Sequence, residues 1–432
     1  MLVAMTIAGS DSSGGAGLQA DLKAFASEGV HGAVAITAIT AQNTRRVAAI
    51  HPLPPEVVLG QIDAVLDDIE VSAAKTGMLY SGTIARAVGR RLRGENIPLV
   101  VDPVMVAGVG DALSLDDLAA AIRDELAPIA AILAPNLPEA EVLLGRSISG
   151  DEETRQACRD LAAFGSKAVL LKGGHAEGPT CRDILFHDGS FRIMEHTRVP
   201  IRGHGGGCTL AALLAANLAK GCSLHEAVLR SNETVKHAVL DNYPIGHGVP
   251  VVSPLSRMYR NADSHEIAER LLSAAREAAC LAPAEWMPEE GSEFVYALSS
   301  ARSEADICAL EARMVRQRGR ALLPAGVAFG ASPRMSAFVL AAMERDRSMR
   351  SALSVRHSPE AVEVARRKGL LVLPVERASV IDRENLTDTG LKAGGFVPDA
   401  VFDLGGPGKE AIICLLGHGP EDVLGKLRKL VE

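Results

Sequence analysis

The sequence predicts an α/β protein: a central, mostly parallel sheet flanked by helices, followed by a second, smaller α/β domain. Short aliphatic runs alternate with amphipathic, alanine-rich stretches through the first half of the chain. The runs are close to continuously apolar, as strands buried on both faces of a parallel sheet must be. Segments rich in Gly, Asp and Asn follow these runs, and ligands of such sheets sit at the carboxyl ends of the strands. In chain order, "VAMTIAG" reads as the first strand, "ADLKAFASEG" as a helix, "GAVAITAIT" as a strand and "PEVVLGQIDAVLDD" as a helix. The strands "AAKTGML", "PLVVDPVM", "AAILAPN" and "AVLLKGG" come next, then the helix opened by "GHGGGC". The proline-bearing "VPVVSPLSRMYRNAD" marks a boundary, so domains are expected over residues 1–255 and 265–432. Past it, "SHEIAERLLSAAREAAC" starts a new helix, and "GLLVLPVE", "DAVFDL" and "AIICLLG" supply strands of the second domain.

With 432 residues, 47% of them hydrophobic, the chain has enough material for two or three buried cores. Only 3% of residues are aromatic and the net charge is -8, so there is little to build a stacking platform or a basic groove. Nucleic acid is therefore not an expected partner; small-molecule substrates are. The seven cysteines are scattered without a CxxC pair, which speaks against a disulfide framework or a zinc site and for a reducing cytoplasm. No run reaches the ~18 apolar residues of a membrane span. A homo-oligomer is expected.

The stretch "GHGGGCTLAALLAANLAKG" has the makings of an anion site, because a helix N-terminus carries unpaired N–H groups and partial positive charge. Gly205, Gly206 and Gly207 would let backbone amides crowd a phosphoryl group. Cys208, at the helix start, would have its thiolate stabilised by the same field and could take a proton from a substrate hydroxyl. The alternative is a buried structural cysteine at a helix cap.

Taken in order, "AGSDSSGGAGLQAD", "TAQNT", "KTGM", "DPVM", "PNLPEAE", "LKGGH" and "GHGGGCTL" closely resemble the hydroxymethylpyrimidine and phosphomethylpyrimidine kinases of the ribokinase superfamily, over roughly residues 1–255. The resemblance implies a ribokinase-like fold that phosphorylates 4-amino-5-hydroxymethyl-2-methylpyrimidine and then its monophosphate, with ATP as donor and Mg2+ as cofactor. It makes Cys208 the catalytic base and Gly205, Gly206 and Gly207 the anion hole. It sets the pyrimidine against Gly9, Ala16, Asp21, Gln42, Met78 and Val104. Asn136, Lys172, Gly173, Gly174 and Thr209 fall on the nucleotide side, and Asp102 and Glu139 on the metal. Two positions depart: Gly206 stands where the family has threonine, and Gly108 and Val109 stand where relatives often have Lys-Ser. Pyridoxal is the alternative substrate, since relatives share the fold and Gln42 could tolerate a pyridine.

Residues 265–432 resemble the ThiN type of thiamine-phosphate synthase domain through "GSEFVYAL", "FGASPRMSAFVLAAM", "PDAVFDLGGPGKEAIICLLG" and "GPEDV". The resemblance implies that the pyrimidine diphosphate is joined to thiazole phosphate, and aligns Arg313 with a functional arginine of the family. Here the family histidine is Arg334, the family asparagine is Glu293, and "MNIRY" has become "LSVRH", with Ser354, Arg356 and His357. On one reading the domain is a working synthase in which Arg313, Arg356 and Lys409 hold pyrophosphate, a site that tolerates an added arginine such as Arg334. On the other, the domain senses thiamine phosphate or its precursors without catalysis.

Overall fold

The computed structural model describes residues 1–106, 113, 117–174, 178, 180–198, 203–242, 244–375, 397–406 and 410–431. They divide into two compact units, Met1–Met258 and Tyr259–Glu432. The segment expected to link them is helical from its middle onward: the helix of the second unit begins at Ser256 and runs to Leu281. "SRMYRNAD" contains neither Pro nor Gly, so nothing in it halts a helix once Pro254 has been passed.

Among the described residues of the first unit, nine strands form one sheet. They are β1 (Val3–Asp11), β2 (His31–Gln42), β3 (Val47–Pro52), β4 (Ala73–Thr76), β5 (Leu99–Val101), β6 (Ile132–Leu133), β7 (Ala168–Leu171), β8 (Thr180–His187) and β9 (Ser190–Thr197), in the order β3-β2-β1-β4-β5-β6-β7-β8-β9. Strands β2, β1, β4, β5, β6 and β7 run parallel, and β3, β8 and β9 add antiparallel margins. The chain goes from β1 outward to β2 on one side and then returns to build β4 onward on the other. That reversal is the topological switch point, where the connections diverge and leave a crevice beyond the strand ends. Gly9 lies at an irregularity of the β1–β2 register, between Ala8 and Ser10, the kind of break that clusters beside active sites.

Residues alternate between two cores. Val3, Met5 and Ile7 of β1 pack on one face of the sheet, and Ala4 on the other, against Phe25, Leu213 and Leu214. The second face is covered by α1 (Gly17–Ser27) and by the helix Gly206–Ala219. The latter buries every residue from Thr209 to Ala219. A helix apolar all round belongs inside a protein, so "TLAALLAANLA" carries its N-terminus to the centre of the crevice.

In the second unit seven described strands form one sheet whose pairings are antiparallel except for Val372–Pro374 with Ala400–Asp403, and Val315–Gln317 and Arg320–Leu322 form a separate two-stranded sheet. Its core includes Phe294, Tyr296, Phe338 and Leu415. Helices Ser256–Leu281, Pro333–Arg345, Pro359–Arg367 and Pro420–Val431 pack into the same core.

Candidate active site

The helix Gly206–Ala219 starts at Gly205, whose φ of 90° is left-handed, and no side chain caps it. Only glycine serves at 205: a Cβ there would lie 1.9 Å from the carbonyl oxygen of Gly15. The backbones of the "SSGGAG" loop and the "GHGGG" loop therefore touch. The N–H groups of Gly206, Gly207 and Cys208 make no hydrogen bond among the described residues, and with the helix dipole they form a basin for an anion.

Cys208 is half-buried and lies near the N–H of Gly17 at the start of α1, so its sulfur sits by the start of two helices. Burial nonetheless raises the thiol to about 11; Lys75 pulls it down, while Asp21 and Asp102 push it up. The expectation of a thiolate stabilised by the helix start is thus corrected. Burial wins, and the resting group is a thiol at neutral pH.

Beneath the cysteine lies a charge pair that sequence reasoning missed. Lys75 and Asp21 are both fully buried, with Nζ 3.0 and 2.8 Å from the two carboxylate oxygens, and Thr6 donates to Asp21 Oδ2 at 2.6 Å. Asp21 was expected to face the pyrimidine. With no exposure and both oxygens taken, it holds Lys75 behind the pocket instead. Thr209 is likewise corrected from the nucleotide side, since it is completely buried in its helix. A lysine inside the otherwise apolar strand "AAKT" was the available signal, because charges are buried only in pairs.

The remaining pyrimidine residues come together at the switch point. Met78 packs on Gly9, whose added Cβ would lie 2.9 Å from Sδ, and Met78 and Val104 share one small apolar cluster with Ala38 and Leu113. Ala16 caps α1 beside Gly205. Gln42 ends β2 and reaches His204, which in turn meets Asp11. Asp11 also accepts from the N–H groups of Ser13, Gly15 and Ala16. Burial raises its pKa, but the bonds from His204, Ser13 and Ala16 outweigh that and bring it to about 2.

On the other flank Lys172 donates to Asp102 Oδ1 at 2.6 Å and lies 3.7 Å from Glu139 Oε2, with its Nζ next to Gly207. Asn136 and Glu139 form a reciprocal capping box at the start of the helix Leu137–Leu144. Burial lifts Glu139 to about 7 against the pull of Lys172. Asp102 Oδ2 is buried without a partner among the described residues. Gly173 already gives its N–H to Asp183 at 2.7 Å, and Gly174 is exposed. Gly108 and Val109 lie outside the described residues.

In the second unit Arg334 pairs with Glu293 at 2.7 Å, and Arg313 lies 3.6 Å from Glu293 and 3.2 Å from Glu290. Ser332, at the start of the helix Pro333–Arg345, donates to Glu293 Oε1 at 2.9 Å. Arg356 pairs with Glu410 at 3.5 Å. Lys409 lies outside the described residues.

A crevice at the switch point of a doubly wound sheet, with free helix amides and a lysine-held acidic pair side by side, is the arrangement of a phosphotransferase of small molecules. A family model described as phosphomethylpyrimidine kinase matches residues 11–253, and one described as thiamine-phosphate synthase ThiN matches residues 270–429. The hydroxymethylpyrimidine/phosphomethylpyrimidine kinase of Rhizobium meliloti is 44% identical over 263 residues, 60% of this chain and 99% of that protein. Among solved structures, an ADP complex of Bacillus subtilis pyridoxal kinase matches with a TM-score of 0.56 and 32% identity, covering 60% of this chain and 99% of its own. The phosphomethylpyrimidine kinase of Clostridium difficile matches with a TM-score of 0.50 and 38% identity, covering 55% and 100%. The chain belongs to the phosphomethylpyrimidine kinase family of thiamine biosynthesis, with a ThiN-type, thiamine-phosphate synthase-like domain behind the kinase. Among the described residues no helix is long and apolar enough to cross a membrane.

Proposed function

We propose that the first unit phosphorylates the hydroxymethyl group of an aminopyrimidine and then the resulting monophosphate, with Cys208 as base and the amides of Gly206, Gly207 and Cys208 as anion hole. The observation that carries this is the uncapped helix start beside Cys208. Phosphoryl transfer asks the protein mainly for positioning and for charge stabilisation. Gly9, Met78 and Val104 seat the ring, Gln42 reads its polar edge, and Lys172 meets the nucleotide phosphates. The fraction of Cys208 that has released its proton to solvent, favoured by Lys75, takes the hydroxymethyl proton as the new bond from that oxygen to the γ-phosphorus forms and the bond from that phosphorus to the bridging oxygen breaks, ADP leaving with the electron pair.

The acidic pair suits a magnesium ion that keeps most of its water. Asp102 offers a free buried oxygen and Glu139 a second carboxylate, while among the described residues no three acidic, His or Cys groups form an all-protein cage. That is how Mg2+ sits in phosphotransferases. When bound, the ion neutralises phosphate charge. The test is an ADP-release assay comparing hydroxymethylpyrimidine with pyridoxal. A preference for the pyrimidine is expected, and a preference for pyridoxal overturns the assignment.

For the second domain a specific observation favours the ligand-binding reading over condensation. Glu293 lies between Arg313 and Arg334 at a helix start, where an incoming pyrophosphate would need those cations. The full chain supplied with pyrimidine diphosphate, thiazole phosphate and Mg2+ is expected to yield no thiamine phosphate. Formation above background restores the synthase reading.

A further inference from the structure

We infer that His204 is a specificity-determining positioning residue: with Asp11 and Thr40 it pins the side-chain amide of Gln42 in one orientation, matching an aminopyrimidine edge and not a hydroxypyridine one. This rests on the reading that Gln42 lines the substrate pocket. The His204 ring is wedged in place: a Cβ on Gly15 would lie 2.5 Å from its Cδ2, and the backbone of His204 bonds to Pro250 and Val252. Nε2 stands 2.9 Å from Asp11 Oδ2 and 3.1 Å from Gln42 Nε2, with Gln42 Oε1 on the Thr40 side, while Nδ1 is buried without a partner among the described residues.

These distances admit one consistent proton arrangement. A single ring nitrogen cannot donate to Asp11 and accept from Gln42. Asp11 is an anion across the working pH range, and a bare Nε2 facing it would set lone pair against charge. A proton on Nδ1 would be an unpaired buried donor, which costs more than a bare nitrogen there. Nε2 therefore carries the proton and shares it between Asp11 and Gln42; this requires the two nearly indistinguishable ends of the amide to exchange places, carbonyl oxygen to the histidine and NH2 to Thr40. Thr40 fits that role: its single hydroxyl proton is placed to go to Ser10 O at 2.9 Å, and once the amide ends are exchanged a lone pair is left for the NH2 at the position 3.3 Å away where Oε1 stands.

Gln42 keeps one carbonyl lone pair and one N–H for the ligand, in fixed relative positions. An aminopyrimidine presents an amino donor next to a ring-nitrogen acceptor, the complement of that pair. A hydroxypyridine carries no such amino group. A free amide could turn to serve either ring, whereas a pinned one discriminates.

The experiment measures kcat and KM for hydroxymethylpyrimidine and for pyridoxal in the full chain. His204→Leu, which removes the donor, is expected to raise KM for the pyrimidine about tenfold, the scale of one lost hydrogen bond. Its kcat should fall less than about threefold, and the preference over pyridoxal should shrink to match. His204→Gln can donate to both Asp11 and Gln42 and should restore most of the preference. Thr40→Val, near-isosteric, should shift it the same way by a smaller factor, and decides the matter if His204→Leu does not fold. Equal losses in His204→Leu and His204→Gln with Thr40→Val silent, or a fall in kcat at steady KM, would overturn the inference. Gln42→Ala separates the two levels. If it leaves the preference unchanged while Cys208→Ala stops turnover, the kinase site stands and the pinned amide is refuted.

Discussion

The two units treat an inviting helix start in opposite ways. In the kinase the amides of Gly206, Gly207 and Cys208 are left open, and the nearby charges are either sealed below as Lys75–Asp21 or paired to the side as Lys172–Asp102. In the ThiN-type domain a carboxylate of the chain itself, Glu293, occupies the helix start at Ser332 together with Arg334 and Arg313. The lesson is that arginine count does not make a phosphate site. A site is available only where the protein's own anions are kept out of it.

The largest effect that tests this contrast is on stability. Lys75→Met leaves Asp21 buried and unpaired, and should destabilise the first unit by ~3–5 kcal/mol in urea unfolding. Lys75→Met with Asp21→Leu should recover much of that loss. The matching change in the second unit, Arg334→Met, breaks a pair whose arginine side chain is 35% exposed, and should cost under ~1 kcal/mol. Similar losses from the two changes would mean that the units hide their charges alike.

Next comes turnover. Cys208→Ala should lower kcat at least about a hundredfold while KM changes little, consistent with loss of a general base. Because burial holds the thiol at about 11 and the thiolate is the acting form, kcat/KM of the native enzyme should climb with pH from neutrality toward that value. A flat profile would show that the sulfur keeps its proton throughout. In the second unit, Glu293→Gln should tighten pyrophosphate binding about tenfold by calorimetry, since one charge leaves the pocket and the arginines are freed. Unchanged binding would show that Glu293 is not what closes it.

Much of this contrast could be read in the chain, and the part that could not has a common cause. The motifs at strand ends were legible because parallel strands must all deliver their carboxyl ends to one edge, so "AGSDSSGGAG", "KTGM" and "GHGGGC" had to converge. Gly205 announced itself by composition. What stayed hidden were pairings across sequence distance. Asp21 and Lys75 are each unremarkable until the fold brings a helix against a strand and leaves neither any water. Glu293 and Arg334 were each visible as departures from their family, yet only the structure shows that one neutralises the other. Thr209 was set on the nucleotide side by the resemblance, and in the structure its side chain is fully buried. The start of the helix at Ser256 escaped because Pro254 reads as a linker residue from one side and as a helix-start residue from the other.

The smallest effect bears on how open the kinase site is. Gly206 replaces the threonine usual in the family, and the structure supplies no steric reason for it: a Cβ there would meet nothing closer than Val252 Cγ1 at 4.0 Å. Gly206→Thr should therefore fold normally and gain a few tenths of a kcal/mol from the lower backbone entropy of the unfolded chain. The added hydroxyl would sit at the first helical position beside the open amides, and kcat/KM for the pyrimidine should rise a few-fold, on the order of one neutral hydrogen bond to a phosphoryl oxygen. A fall in kcat/KM instead would mean that the basin needs the bare backbone at 206, and that phosphate approaches the helix start more closely than a side chain allows.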